Sequence, residues 1–207
     1  MNKRSLIVLL FFVLLLISKE DFAKTSADSN SHVTAVPVNA NKSYIEWIGK
    51  KVLGQHSGKV KLQSGTINNK NGVLTGGEFV IDMKSLTNDD MSDADYKKKL
   101  IDHLSSEDFF NVAGFPAATL KITKVLKMTK KENSYSLTGD LTIKGITKSI
   151  TFPATFSAVG KGFEGNASLT IDRSLWDVKY GSSSFFEGLG DKAISNEMEL
   201  NVHVFTN

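Results

Sequence analysis

SYSLTGDLTIKGITKSITFPATFSAVGKGFEGNASLTI, residues 134–171, is the stretch that decides the fold. Leu137, Gly139, Leu141 and Ile143 alternate with Thr138, Asp140 and Thr142. Ile150, Phe152, Ala154, Phe156 and Ala158 alternate with Ser149, Thr151, Thr155 and Ser157. Phe163, Gly165, Ala167, Leu169 and Ile171 alternate with Glu164, Asn166, Ser168 and Thr170. Strand side chains point to opposite faces with period two, so each segment carries one dry face and one wet face. The segments are too closely spaced for crossover helices and are read as antiparallel neighbours. Such a sheet must bury its apolar face, and a strongly twisted one does so by closing into a barrel. A barrel of about eight strands can also hold a small apolar ligand.

Outward from this stretch the same pattern recurs. A first strand is read at 33–38, then strands at 43–50 and 56–63. Turn chemistry follows from Gly65 through Asn68, Asn69, Asn71 and Gly72, around a short strand at Thr66–Ile67. The run 73–83 is a longer strand in which Gly76–Gly77 marks a bulge. Alternation stops at 88–104, where Tyr96, Leu100, Ile101 and Leu104 have helical spacing. Ser92 with Asp95 resembles a capping box, and Lys97, Lys98 and Lys99 read as a solvated helix face. Residues 108–114 read as a short helical turn with Phe109 and Phe110 tucked against the sheet. Pro116 then precedes a strand at 117–126. Residues 172–190 are irregular, and 194–205 is a last strand with Met198, Leu200, Val202 and Val204 aligned. The expectation is an all-β, mainly antiparallel fold: a closed barrel of about eight strands with one helix.

The N-terminus reads as a targeting segment. Lys3 and Arg4 precede an unbroken apolar run of twelve residues, Leu6 to Ile17. That is signal-peptide length, short of the roughly 18 residues that span a membrane. Cleavage is expected after Ala23 or Ala27. The organisation is therefore a signal peptide at 1–23, a flexible leader at 24–40 and one domain at 41–207, which implies a periplasmic or secreted protein. The 207-residue chain has a formal charge of +3, and removing residues 1–23 leaves about +2. That bias is too weak to imply a nucleic-acid partner. The chain has no Cys, which rules out disulfides, thiol catalysis and a lipidated cysteine.

Catalytic sets are hard to assemble. His32, His56, His103 and His203 are scattered without ligand spacing, so no metal and no cofactor are expected. Asp102, His103 and Ser105 have triad residue types, but neighbours on a helix face apart. Gly188 and Gly190 lack the strand–loop–helix context of a phosphate loop. Asp172–Arg173 is read as pinning the loop at the barrel mouth. The chain is expected not to be an enzyme.

Several separated motifs, in order, resemble the YceI-like family. They are Gly77 to Met83 with Ser85–Leu86; His103 to Val112 followed by Phe115–Pro116; Gly139 to Lys148 followed by Phe152–Pro153; and Ile171–Asp172–Arg173 followed by Trp176 and Tyr180–Gly181. The resemblance covers roughly residues 40–206. It implies a periplasmic, lipocalin-like barrel closed over a long apolar tunnel that binds polyisoprenoids or other amphiphilic lipids. The apolar faces nominate a tunnel wall of Ile45, Trp47, Phe79, Ile81, Leu120, Ile122, Leu141, Phe152, Ala154, Phe156, Ala167 and Leu169, with Trp176 from the irregular segment. Small residues on that face (Gly139, Ala154, Ala158, Gly165 and Ala167) favour an open lumen. The expected function is to bind and shield a long apolar lipid, a polyisoprenoid or isoprenoid quinone-type molecule, as carrier or buffer. A filled barrel serving stress response or protein interaction, and a lipid-headgroup enzyme, are the alternatives. Transient membrane contact and a dimer are both compatible with the sequence.

Overall fold

The computed structural model describes residues 32–207. The signal peptide and residues 24–31 of the leader lie outside the described residues. Nine strands and one α-helix follow: β1 (Thr34–Pro37), β2 (Tyr44–Lys51), β3 (Gly54–Lys70), β4 (Val73–Asp82), α1 (Ala94–Ser105), β5 (Ala117–Lys127), β6 (Ser134–Ile143), β7 (Ile146–Val159), β8 (Gly162–Asp172) and β9 (Ile194–Phe205).

The alternation quoted above becomes three adjacent antiparallel strands. β6 pairs with β7 from Ser134↔Thr155 to Ile143↔Ile146, and β7 pairs with β8 from Ala154↔Ala167 to Val159↔Gly162. Around the sheet the order is β3-β2-β9-β8-β7-β6-β5-β4, and β4 returns to β3, so eight strands close a barrel. β1 covers the second half of β3, Thr34↔Asn69 to Pro37↔Thr66, where β2 has ended at Tyr44↔Lys61. A strand thus forms inside the stretch read as leader.

Two elements differ from the sequence reading. Residues 54–70 are one 17-residue strand, with no turn at Gly65. A register shift between Leu62 and Ser64 bends it, and the real turn is Asn71–Gly72, both at positive φ. The helix is capped by Asp93, whose carboxylate accepts from the backbone N–H groups of Asp95 and Tyr96, so Ser92 is not the cap. Tyr96 is 62 % exposed and takes no part in the core, whereas Leu104 is buried. The bulge expected near Gly76–Gly77 is present one residue earlier: Asn68 faces Gly76 and Asn69 faces Leu74.

The helix covers one end of the barrel. Leu104, Phe109 and Phe110 pack there with Trp47, Trp176 and Met198. At the opposite end Leu62, Ile67, Tyr135, Phe156 and Val204 form a second buried cluster. Leu120, Ile150 and Leu169 touch both clusters and lie between them.

Candidate functional site

Between the two packed ends the inner face behaves unlike a core. Ile45, Leu120, Ile122, Ile150, Ala154, Ala167, Leu169, Leu200 and Val202 point inward but stay only half-buried. Close-packed interiors leave few voids larger than a water molecule, so inward aliphatic side chains that remain accessible mean an open lumen. The cavity they line measures about 110 Å³. Its register is regular: Ala154 faces Ala167, Ala167 faces Val202, and Val202 faces Ile45 across β7, β8, β9 and β2. The two alanines are small where the opening is.

Eleven of the thirteen nominated residues line this cavity: Ile45, Phe79, Ile81, Leu120, Ile122, Leu141, Phe152, Ala154, Phe156, Ala167 and Leu169. Trp47 and Trp176 do not. Trp47 stands at the helix-covered end, its indole N–H donating to Thr87 O at 3.2 Å. Trp176 is 1 % exposed and donates to Leu141 O at 3.0 Å, so it is packed structure behind the wall. Two of the small residues have other reasons. A Cβ on Gly139 would meet Leu120 Cδ1 and Lys121 O at 3.0 Å, because β5 bulges against it, so that glycine reflects crowding. Ala158 lies at the exposed end of β7.

Two smaller cavities follow toward the helix. A second cavity of about 80 Å³ shares Ile45, Ile81, Leu141 and Leu200 with the first. A third, about 90 Å³, shares Trp47, Phe110 and Met198 with the second, and its wall also includes Lys50, His56, His103, Arg173 and Glu197. The three follow one another along the barrel, divided by those shared side chains, and all expose almost only apolar atoms. Leu62, Ile67, Leu74, Leu137, Ile150, Leu200 and Val202 also line the first cavity and were missed by the sequence reading, although Leu200 and Val202 were already aligned on one face.

Arg173 stands in the wall of the third cavity. It is 2 % exposed, and its Nε, Nη1 and Nη2 donate to the carbonyls of Ser195 (2.9 Å), Val178 (2.6 Å) and Ile194 (3.1 Å). Burial pulls the guanidinium below its ordinary value, partly offset by the charge of Asp172. Asp172 itself accepts from the N–H and hydroxyl of Ser174, so the loop is pinned through carbonyls. His56 pairs with Asp90 at 2.9 Å, and Asp90 also accepts from Ser57 N and Asn88 Nδ2. Burial works to raise the Asp90 carboxyl. The hydrogen bonds from Ser57, His56 and Asn88 outweigh it and hold the group below the usual carboxylate range. Asp102 of the triad-like trio bonds Lys98 in solvent. Among the described residues no three His, Asp or Glu side chains gather as metal ligands.

The sequence profile of the YceI-like domain matches residues 37–205. A UPF0312 protein of Pseudomonas putida (strain W619) is 33 % identical over 110 residues, 49 % of this chain and 50 % of that protein. One from Pseudomonas savastanoi pv. phaseolicola is 38 % identical over 78 residues, 34 % of this chain and 40 % of that one. The matched stretch thus spans half or less of these curated relatives. Among solved structures, BcnA of Burkholderia cenocepacia superposes with a TM-score of 0.67 at 22 % identity, over 82 % of this chain and 99 % of BcnA. A polyisoprenoid binding domain from Saccharophagus degradans, implicated in plant cell wall breakdown, gives 0.59 at 12 % identity, over 84 % and 98 %. At those identities the likeness is one of fold.

Proposed function

Since this chain belongs to the YceI-like family, we propose that its barrel binds and shields one long apolar lipid, a polyisoprenoid or isoprenoid quinone-type molecule, and serves as a periplasmic carrier or buffer. The carrying observation is the belt of inward, half-buried aliphatic side chains around the lumen. Shielding rests on burial alone: each CH2 removed from water contributes roughly 0.8 kcal/mol, so a prenyl chain can be held without polar contacts along its length. The polyisoprenoid binding of the Saccharophagus degradans domain supports the ligand class. The reading is of a binder that needs no resident cofactor and performs no catalysis.

Native mass spectrometry of protein purified from the periplasmic fraction tests it. The expected spectrum shows a lipid adduct at one equivalent. The same spectrum reports whether the N-terminus has been cut near Ala23 or Ala27. Apoprotein alone, with no uptake of added prenyl lipid, would overturn the reading.

A further inference from the structure

We propose that the apolar ligand enters and leaves the lumen sideways, through the seam between β7 and β8, where Pro153 stops the ladder. This rests on the lipid-carrier reading above. The β7–β8 ladder runs from Val159↔Gly162 to Ala154↔Ala167 and goes no further. Beyond it, residues 146–153 of β7 stay paired with β6, and 168–172 of β8 stay paired with β9. Two firmly held strands therefore face each other across a stretch with no backbone pair among the described residues. The cause is local. Two-residue turns, Lys144–Gly145 and Gly160–Lys161, close the hairpins on either side of β7. From such a turn, hydrogen-bonded and non-bonded pairs alternate along an antiparallel hairpin. Counted from either turn, the backbone nitrogen of residue 153 points away from β6 and toward Ser168 of β8. Proline has no N–H, so the pair that would continue the ladder lacks its donor.

The gap has an outer and an inner side. Outside lies a groove of about 350 Å³, bordered by the exposed Thr151, Pro153, Ser168 and Thr170 and by Glu199 and Asn201 of β9. Inside lies the main cavity. Phe152 and Leu169 line both, and strand alternation turns them inward. The wall there is one layer of side chains with no ladder in it. Moving those two side chains aside breaks no sheet hydrogen bond, whereas an opening at a paired seam would. The ends of the barrel offer no such route, since a buried cluster packs each of them. The β4–β5 ladder also stops early, at Glu78↔Lys121. There Phe79 folds back over Gly77, its ring atoms 3.1 and 3.2 Å from where a Cβ would stand, and fills the inside of that seam.

The test uses the whole mature protein, freed of lipid, with retinol as a fluorescent isoprenoid probe followed by stopped flow. The chain has no Cys of its own. Pro153→Cys with Ser168→Cys puts one thiol on each side of the gap, and a short reducible bis-thiosulfonate bridges them. Against the same chain unbridged, the bridge is expected to slow retinol uptake and release at least about tenfold, as a locked gate does. A gate acts on both rates alike, so Kd should stay within about threefold. Reduction should restore both rates. Thr75→Cys with Lys124→Cys, bridged in the same way across the β4–β5 seam, should leave the rates within about twofold. Unchanged rates in the bridged β7–β8 chain, or equal slowing by both bridges, would overturn the portal while leaving the lumen intact. Wild type that takes up no retinol would overturn the carrier reading and the portal with it.

Discussion

Ala154 shows how a single small side chain separates an open lumen from a filled one. It faces Ala167 across β7 and β8 and borders the main cavity. In a packed core, Ala154→Trp would overpack and cost on the order of 1–3 kcal/mol. In the lumen described above the indole takes ligand space, so the expected outcome is a Tm within a few degrees of wild type and loss of the bound lipid. Thermal melts and native mass on one sample check both. This residue was legible in the sequence because strand alternation assigns a face without any knowledge of the partner strand. Gly139 was not legible in the same way. Its smallness on the same face answers the bulge of β5 at Ile122–Lys124, which no local pattern reveals. Trp176 was misplaced for a related reason: it follows the end of β8 in a 3₁₀ turn, where period-two reasoning has no hold, and its N–H is committed to Leu141 O.

At the element scale the segment between β4 and α1 works as a strap across the start of β3. Thr87 N and Asp89 N donate to Lys59 O (2.8 Å) and Ser57 O (2.9 Å). A Cβ on Gly58 would stand 1.9 Å from Thr87 O, so glycine there is what allows the strap to lie flat. Nothing in the sequence near Gly58 announces that approach, because the partner lies about thirty residues downstream. The strap's polar fastening is Asp90, held by Ser57, His56 and Asn88. Its carboxyl is lowered in the folded state, so the stability it contributes is present above the ordinary carboxylate value and is lost as pH falls through the lowered one. Asp90→Asn should therefore be less stable than wild type by about 1 kcal/mol at pH 7. The gap should narrow below about pH 4, as read from urea midpoints across a pH series. A constant gap would mean that the carboxylate charge contributes nothing. The strands themselves were read correctly to within a few residues, since apolar–polar alternation is strongest where one face is dry. The 54–70 strand was cut in two because Gly65 and the asparagines mimic turn chemistry within a bulged strand.

For the whole molecule, the open lumen means that ligand and stability are linked. A ligand that binds only the folded state stabilises it by RT ln(1 + [L]/Kd), about 2.7 kcal/mol at a hundredfold excess over Kd. Extracting the lipid should lower Tm by about 5–10 °C, and adding it back should restore the value. Scanning calorimetry of extracted and reloaded protein checks this, and identical melts would argue against a filled tunnel. The closure of the barrel carries a separate consequence, for the order in which the molecule can assemble. β2 is flanked by β9, with Tyr44 opposite His203 and Ile45 opposite Val202. That seam joins segments at nearly opposite ends of the described chain, and the entropy of closing so large a loop must be met before any contact across it is rewarded. The hairpins β3–β4, β5–β6, β6–β7 and β7–β8 can zip locally while the seam waits. The slow step of refolding is therefore expected to be the docking of β9 between β2 and β8. Until then the inner faces are exposed and the protein has no inside to fill.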